Sequence, residues 1–302
     1  MNKKGMIFTM MAIFLLSFFL ITYLVYSVYH DREAVSKRVE TMNNFVSSIE
    51  KDVSRQMYIS GYRAILSVEN YITSNGNFIN NSEDSIRESL VNGTLYSQQM
   101  ELMEGYKVSD WNSKISELGN KLNLNINYTL IDLEVKQIDP WKITIETNVN
   151  LYITDKGNLA SWNKTEIISS DIDIAGFEDP LYLLNTNGKV TNKINQSNFV
   201  FSTDLANLTI QSQNSLYIHT ETSPSFLNRL EGKVTPSQYG IESLVYLPEI
   251  SSQGIAVKDK SCVDYIYFSS QTPTSHSITG MPAWFKLDDS HINIYGVSGL
   301  EE

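Results

Sequence analysis

Two short acidic clusters are the residues whose types could do chemistry in this chain. Glu178-Asp179-Pro180 could supply carboxylates to a catalytic site, and Asp288-Asp289-Ser290-His291 could bind a cation through oxygen ligands. An acid before proline in a glycine-flanked break is ordinary turn chemistry, however. The second cluster lacks the alternating spacing of a calcium loop. We therefore expect a turn at the first cluster and a solvated turn at the second.

The other candidate motifs do not combine into a catalytic pattern. Ser161-Trp162-Asn163-Lys164 matches Ser-x-x-Lys, but neither Ser-Asp-Asn nor Lys-Thr-Gly accompanies it, so we interpret the match as chance. The sequence also lacks a phosphate-binding loop and a Gly-x-Ser-x-Gly elbow. We predict no enzyme activity, no catalytic residue and no cofactor. A membrane-tethered hydrolase is the enzyme-class alternative, and activity loss on changing Asp288, Asp289 or His291 would favour it.

The thiol and imidazole groups predict neither a disulfide framework nor a metal site. Cys262 is the single cysteine, and we expect it to be a buried thiol in a strand over 261–268. An intermolecular bridge or a reactive thiol is the alternative. The four histidines are far apart and none has metal-ligand spacing, which predicts no bound metal. They are His30, His219, His276 and His291.

The composition predicts a folded, acidic protein that does not bind nucleic acid. The 302 residues are 42% hydrophobic and 11% aromatic, which exceeds what a disordered chain carries. The net charge is −11 with only 23 lysines and arginines, and these are nowhere clustered. A phosphate-binding surface needs clustered cations, so nucleic acid is excluded as a partner.

The N-terminal thirty residues predict a membrane anchor. Gly5 to Tyr29 contains no charged residue, and about 20 apolar residues suffice for a helix to cross a bilayer. Tyr23 and Tyr26 precede Tyr29 at a spacing of three, where an aromatic belt would meet the interface. A cleaved secretory signal fits less well, because its apolar region is shorter and ends in small residues. We predict a tail and transmembrane helix over 1–30.

The flanking charges favour a cytoplasmic N-terminus. Lys3 and Lys4 precede the helix without an acid, as in signal-anchors. The far side carries Arg32, Lys37 and Arg38, so the count of cations alone does not decide the orientation. We expect a single-pass protein of the cell membrane with its C-terminal domain outside the cytoplasm.

A long amphipathic helix is predicted to follow over 31–75. Its apolar residues are spaced 4, 3, 4, 3 and 4 apart, as on one face of a helix. This stripe could serve self-association as a stalk, or it could pack on the chain's own β domain. The stripe comprises Val35, Val39, Met42, Val46, Ile49 and Val53.

The rest of the chain predicts helices and an antiparallel meander over 76–175, then a second β-rich unit over 176–302. Helices are expected from Ser82 and from Ser109, the latter with Trp111, Ile115, Leu118 and Leu122 on one face. Alternating apolar residues then predict three strands, over 125–135, 142–153 and 165–174. In the second unit we expect strands over 198–204, 208–220, 244–248, 263–269 and 292–297. The fold class is α+β.

The N-terminus resembles the class III leader of archaeal and bacterial type IV pilins. Lys3-Lys4-Gly5 stands directly before the apolar helix, and in that family a peptidase cuts after the glycine. The resemblance implies cleavage between Gly5 and Met6, with the helix as the assembly surface. The glutamate often found five residues after the cut is absent here, since Met10 occupies that position.

These features favour a structural or interaction protein at the cell surface. It would be a pilin-like subunit that contacts the membrane and associates with itself or with other surface proteins through its N-terminal helix. The alternative is a membrane-tethered sensor or adhesin that stays in the bilayer.

Overall fold

A computed structural model describes residues 3–202 and 205–302, and it shows an α+β protein with a long apolar N-terminal helix and antiparallel sheets. The chain forms two compact units. The first unit contains Met1–Val53, Ile115–Asn127 and Leu151–Lys164. The second unit contains Ser54–Lys114, Tyr128–Asn150 and Thr165–Glu302.

The described residues form nine helices and nine strands. The helices are α1 (Lys3–Asn75), α2 (Ser82–Asn92), α3 (Val108–Lys121), α4 (Pro180–Asn185), α5 (Leu205–Gln213), α6 (Phe226–Leu230), α7 (Leu247–Ser252), α8 (Asp264–Phe268) and α9 (Asp289–Ile292), with a 3-10 turn at Glu101–Met103. The strands are β1 (Thr94–Leu95), β2 (Gln98–Gln99), β3 (Leu124–Asp139), β4 (Lys142–Asp155), β5 (Ser161–Asp173), β6 (Tyr217–His219), β7 (Ile241–Ser243), β8 (Ser275–Ser277) and β9 (Lys286–Asp288). The longest strands form a sheet in the order β3-β4-β5, and the others pair as β1-β2, β6-β7 and β8-β9.

The predicted apolar stripe of α1 packs within the folded chain. Met42 and Ile65 are fully buried, and Ile72 is 1% exposed near the end of the helix. Val35, at the start of the stripe, is 39% exposed. From Met42 onward the side chains of the stripe are already covered by the chain itself. This confirms the alternative that the stripe packs on its own chain instead of serving self-association as a stalk.

At Gly61, α1 lies very close to the side chains of β4 and β5. A Cβ atom built on Gly61 would lie 2.3 Å from the Cδ1 atoms of both Ile145 and Ile172. Real Cβ atoms essentially never come that close to another heavy atom. An alanine at this position would force the ends of both isoleucine side chains to shift, because α1 packs closely on the side chains of β4 and β5.

The three-stranded sheet has the predicted alternation, with one irregularity. Ile143, Ile145 and Val149 are buried on one face of β4, which confirms the dry face. In β3 the buried positions change phase at Ile131 and Asp132, both of which are exposed. A β-bulge has this effect, since one extra residue reverses the faces of all that follow.

The face predicted for α3 is only partly correct. Trp111 and Ile115 are buried, with the Trp111 ring packed edge-on against Tyr128 at 4.5 Å between centroids. Leu118, however, is 52% exposed. Its position in the helical repeat predicts that it lies on the same face as Trp111 and Ile115, but the described residues leave about half of its side chain exposed.

The strands predicted after residue 176 are mostly wrong. Residues 263–269 form α8 and residues 208–213 belong to α5, although β6 does follow at Tyr217–His219. Residues 244–248 contain the start of α7, and 292–297 contain the end of α9 and a turn. Residues 198–202 are irregular, while Thr203 and Asp204 of that predicted strand lie outside the described residues.

There is a physical reason why the sequence of α8 predicts a strand. Tyr265, Ile266 and Tyr267 are all buried, so the segment is apolar on every side. A short run of consecutive apolar residues fits a buried strand and a buried helix equally well. Cys262 precedes this helix instead of lying in a strand, but its thiol is buried as expected.

We expect Gly61→Ala to destabilise the second unit by about 1–3 kcal/mol, because the new methyl group overpacks a close helix–sheet contact. Thermal unfolding of the full chain in detergent, followed by circular dichroism, measures the loss. Combining it with Ile145→Val and Ile172→Val removes the two Cδ1 atoms that the new methyl meets. If this relief does not reduce the penalty of the alanine, the contact is not its cause.

Candidate functional site

The apolar part of α1 is the largest exposed apolar surface among the described residues. From Ile7 to Tyr29 its large side chains are roughly half to three-quarters exposed, as at Phe14 (73%), Phe19 (70%) and Leu24 (61%). This helix is long and apolar enough to cross a membrane. An all-round apolar helix needs a nonaqueous environment, either lipid or other helices.

The predicted leader lies inside the same helix. α1 begins at Lys3, so the backbone at Gly5 and Met6 is helical. Met1 and Asn2 lie outside the described residues. The apolar segment thus continues without a break from the predicted cleavage position.

Asp179, of the first acidic cluster, is a helix cap and an ion-pair partner. It caps α4 by accepting a hydrogen bond from the Leu181 amide at 2.9 Å, with Pro180 in the first turn. The expected turn chemistry is present, but Asp179 is also fully buried, and it accepts from the Tyr217 hydroxyl at 2.8 Å.

Arg229 is the cation that makes this burial possible. Its Nη1 donates to Asp179 Oδ2 at 2.5 Å and to Asp264 Oδ2 at 2.9 Å, and its Nη2 donates to the Ile241 carbonyl. Asp264 also accepts from the amide and the hydroxyl of Ser243 at 3.0 and 2.8 Å. Burial lowers the pKa of Arg229, but the two carboxylates raise it by more, so the guanidinium stays charged.

A second buried network surrounds His291. Its Nδ1 lies 2.8 Å from Asp288 Oδ1, and its Nε2 lies 3.2 Å from Glu242 Oε2. Burial lowers the pKa of His291, but these two hydrogen-bonded carboxylates raise it to about 10. Burial raises the pKa of Asp288, yet its hydrogen bonds from His291 and Ser261 bring it down to about 2. The geometry is that of an imidazolium that donates to a carboxylate on each side.

The prediction of a solvated turn at 288–291 is wrong for two of its residues. Asp288 is fully buried and His291 is 1% exposed, whereas the Asp289 side chain is 72% exposed. Asp288 caps α9 by accepting from the Ser290 amide at 3.2 Å. Because α9 turns the chain back at this point, its cap and its last turn face inward.

These networks stabilise the core and offer no access to a substrate. Asp179, Arg229, Glu242, Asp264 and Asp288 are each fully buried. Within the described residues, no group of three or more His, Cys, Asp or Glu side chains is arranged to hold a metal ion.

Comparisons with known proteins leave the chain unassigned. No family model, curated protein or solved structure matches it. The exposed apolar helix and the geometry of the second unit are therefore the features that bear on its function.

The Cys262 thiol is held in a dry environment. Its Sγ lies 3.6 Å from the Trp284 carbonyl and 3.5 Å from the Lys286 amide. Burial raises the pKa of this thiol to about 12. The thiolate is the nucleophilic form, so the structure favours the buried thiol over a reactive one.

Sequence reasoning overlooked Arg229, Glu242, Asp264 and Glu69. Their common signal is a charge inside an apolar run, as at Arg229 in Phe226-Leu227-Asn228-Arg229-Leu230. Charged side chains are almost never fully buried unless they are paired. A charge in such a run therefore indicates a buried pair, although the partner cannot be read from the sequence.

Glu69 is a buried acid without an ionic partner. It is 6% exposed on α1, and neither its Oε1 nor Glu178 Oε2 has a hydrogen-bond partner among the described residues. Burial raises the pKa of Glu69 from 4.5 to about 9, and the neighbouring Glu178 carboxylate raises it further. Glu69 is thus protonated in the folded chain at neutral pH.

We expect the second unit to lose stability as the pH rises because of Glu69. An acid whose pKa is higher in the folded chain stabilises the fold only while it is protonated in the folded chain and not yet ionised in the unfolded one. The contribution of Glu69 to the free energy of unfolding is therefore fully present below pH 4.5 and is lost as the pH rises to about 9. Each pH unit in that window costs about 1.4 kcal/mol. Urea unfolding of Glu69→Gln between pH 5 and 8.5 should lack this slope.

Glu104→Gln, at an exposed position, is the matched control and should follow the original chain at every pH. Parallel curves for the original chain and Glu69→Gln would mean that Glu69 is already ionised in the fold.

Proposed function

We propose that this chain is a structural protein of the cell surface, a pilin-like subunit or membrane-anchored surface protein held through α1. The exposed apolar helix from Ile7 to Tyr29 is the observation that carries the proposal. Fully burying one large apolar side chain contributes about 1.5–3 kcal/mol, so this segment favours a nonaqueous environment by tens of kcal/mol. The surface of a soluble protein does not ordinarily expose apolar side chains whose burial would contribute so much free energy.

The burial of the α1 stripe supports assembly through the apolar segment from Ile7 to Tyr29, and not through a stalk formed by the stripe. From Met42 to Ile72 the apolar face of α1 is covered by the chain itself. Contacts with sister subunits through α1 would therefore use residues 7–29. The same segment would contact lipid before assembly, and sister helices would replace lipid in a filament.

A permanently tethered sensor or adhesin is the second candidate, and Met10 favours it. The glutamate at this position in many pilins can pair with a neighbouring subunit, and methionine cannot. The proposal does not include catalysis, because Asp179, Asp288 and His291 of the two acidic clusters are buried and paired.

The proposed orientation puts Lys3 and Lys4 in the cytoplasm and the chain after Tyr29 outside. Protease added to intact cells or spheroplasts should digest the protein after Tyr29. A cytoplasmic marker protein that survives the same treatment is the control for intact membranes. Protection of the chain until the membrane is opened would contradict the orientation.

Processing separates the filament subunit from the permanent anchor. Cleavage after Gly5 would make Met6 the first residue, with its new amine at the start of the apolar helix. The free N-terminus of the protein from native membranes can be labelled, digested without cleavage at lysine and identified by mass spectrometry. Gly5→Leu should block the cut and keep residues 1–5. Recovery of Lys3-Lys4-Gly5-Met6 in unmutated protein, with no peptide starting at Met6, would rule out the pilin-like subunit and leave the tethered protein.

A further inference from the structure

An open pocket of about 410 Å³ lies on the second unit, away from the buried networks. The last turns of α1 form one wall and residues 98–102 form the other. Its volume falls in the range of about 300–1,000 Å³ that is usual for small-molecule sites.

The lining combines polar and apolar groups and is almost neutral. Asn70, Gln98 and Gln99 present side-chain amides that make no hydrogen bond to the residues the structure describes, and Tyr71 contributes an aromatic ring. Glu101 is the single charged residue of the lining. An anionic ligand needs a cation, and an apolar ligand would leave these amides unpaired.

The wall that carries Gln98 and Gln99 is held in a strained turn. Tyr96 and Ser97 join β1 to β2 with φ of 48° and 67°, in the left-handed region that glycine and asparagine usually fill in such hairpins. Residues in sparsely populated conformations persist only where the surrounding structure holds them, and they cluster at functional sites.

The Glu88 carboxylate holds this turn in place. It accepts hydrogen bonds from the Thr94 hydroxyl at 2.8 Å and from the amides of Tyr96 and Ser97 at 3.3 and 3.5 Å. The Tyr96 ring then packs on Tyr71, with 5.4 Å between centroids. The Tyr71 ring and the backbone that carries Gln98 and Gln99 are thus positioned before any ligand arrives.

We propose that this pocket binds a neutral carbohydrate, such as a unit of a cell-surface glycan. Sugar hydroxyls both donate and accept, and side-chain amides do the same. The apolar C–H face of a sugar ring can pack on the ring of Tyr71. This activity goes beyond the structural role, and it applies equally to a filament subunit and to a permanent anchor.

The test uses the full chain, purified in a detergent without a sugar headgroup so that the detergent cannot occupy the pocket. Malto-, cello-, chito- and manno-oligosaccharides are the neutral probes. Sialylated and sulfated oligosaccharides and the polyamine spermine are the charged ones. Calorimetry or saturation-transfer NMR should detect at least one neutral probe and none of the charged ones.

The pocket variant is Gln98→Ala with Gln99→Ala. Losing hydrogen bonds from both amides should weaken binding about tenfold or more. The matched control is Gln253→Ala with Gln271→Ala, whose amides are exposed elsewhere on the second unit. Tyr71→Leu should also weaken binding, and an unchanged unfolding temperature shows that each variant is folded.

Three results would overturn the proposal. They are no binding of any neutral probe, preference for a charged probe, and neutral binding that both double variants leave equally strong. None of these results bears on membrane anchoring or on cleavage after Gly5, so the two proposals fail independently.

Discussion

The Arg229 guanidinium, fully buried between two carboxylates, connects much of the second unit. Asp179 caps α4 and Asp264 lies in the first turn of α8, while Arg229 itself lies on α6. Its contact with the Ile241 carbonyl adds β7. Short helices and three-residue strands gain little stability alone. Removing one member of a buried ion network leaves an unpaired charge that costs about 3–5 kcal/mol, so the charges fix how these short elements pack.

The need of a buried charge for an oppositely charged partner also explains how this acidic protein keeps carboxylates in its core. His291 is a cation between Asp288 and Glu242, and although burial lowers its pKa, hydrogen bonds to these two carboxylates raise it by more. Its contribution to stability is full below pH 6.5 and is lost as the pH rises towards 10. Glu69 acts in the same direction. Both groups make the second unit more stable in mildly acidic than in alkaline solution.

α1 has two different kinds of surface along one helix. From Met42 onward one face is buried by the folded chain, and at Gly61 an added methyl group would force the ends of two isoleucine side chains to shift. From Ile7 to Tyr29 the helix is apolar on all sides and exposed. The first part needs an amphipathic pattern and the second does not, which is why the charged residues of α1 lie only before Gly5 and after Tyr29.

The apolar segment, the stripe of α1 and the alternation in β4 could be predicted from sequence alone, because each is a periodic pattern set by the geometry of one element. Whether the stripe faced a sister helix or the chain's own core depended on tertiary packing. So did α8, whose apolar run fits two periods, and the pocket at Gln98 and Gln99. The pairing of Arg229 with Asp179 and Asp264 joins residues 50 and 35 positions apart. Only the folded chain brings them together, since burial decides which charges need partners and contact decides which partners they find.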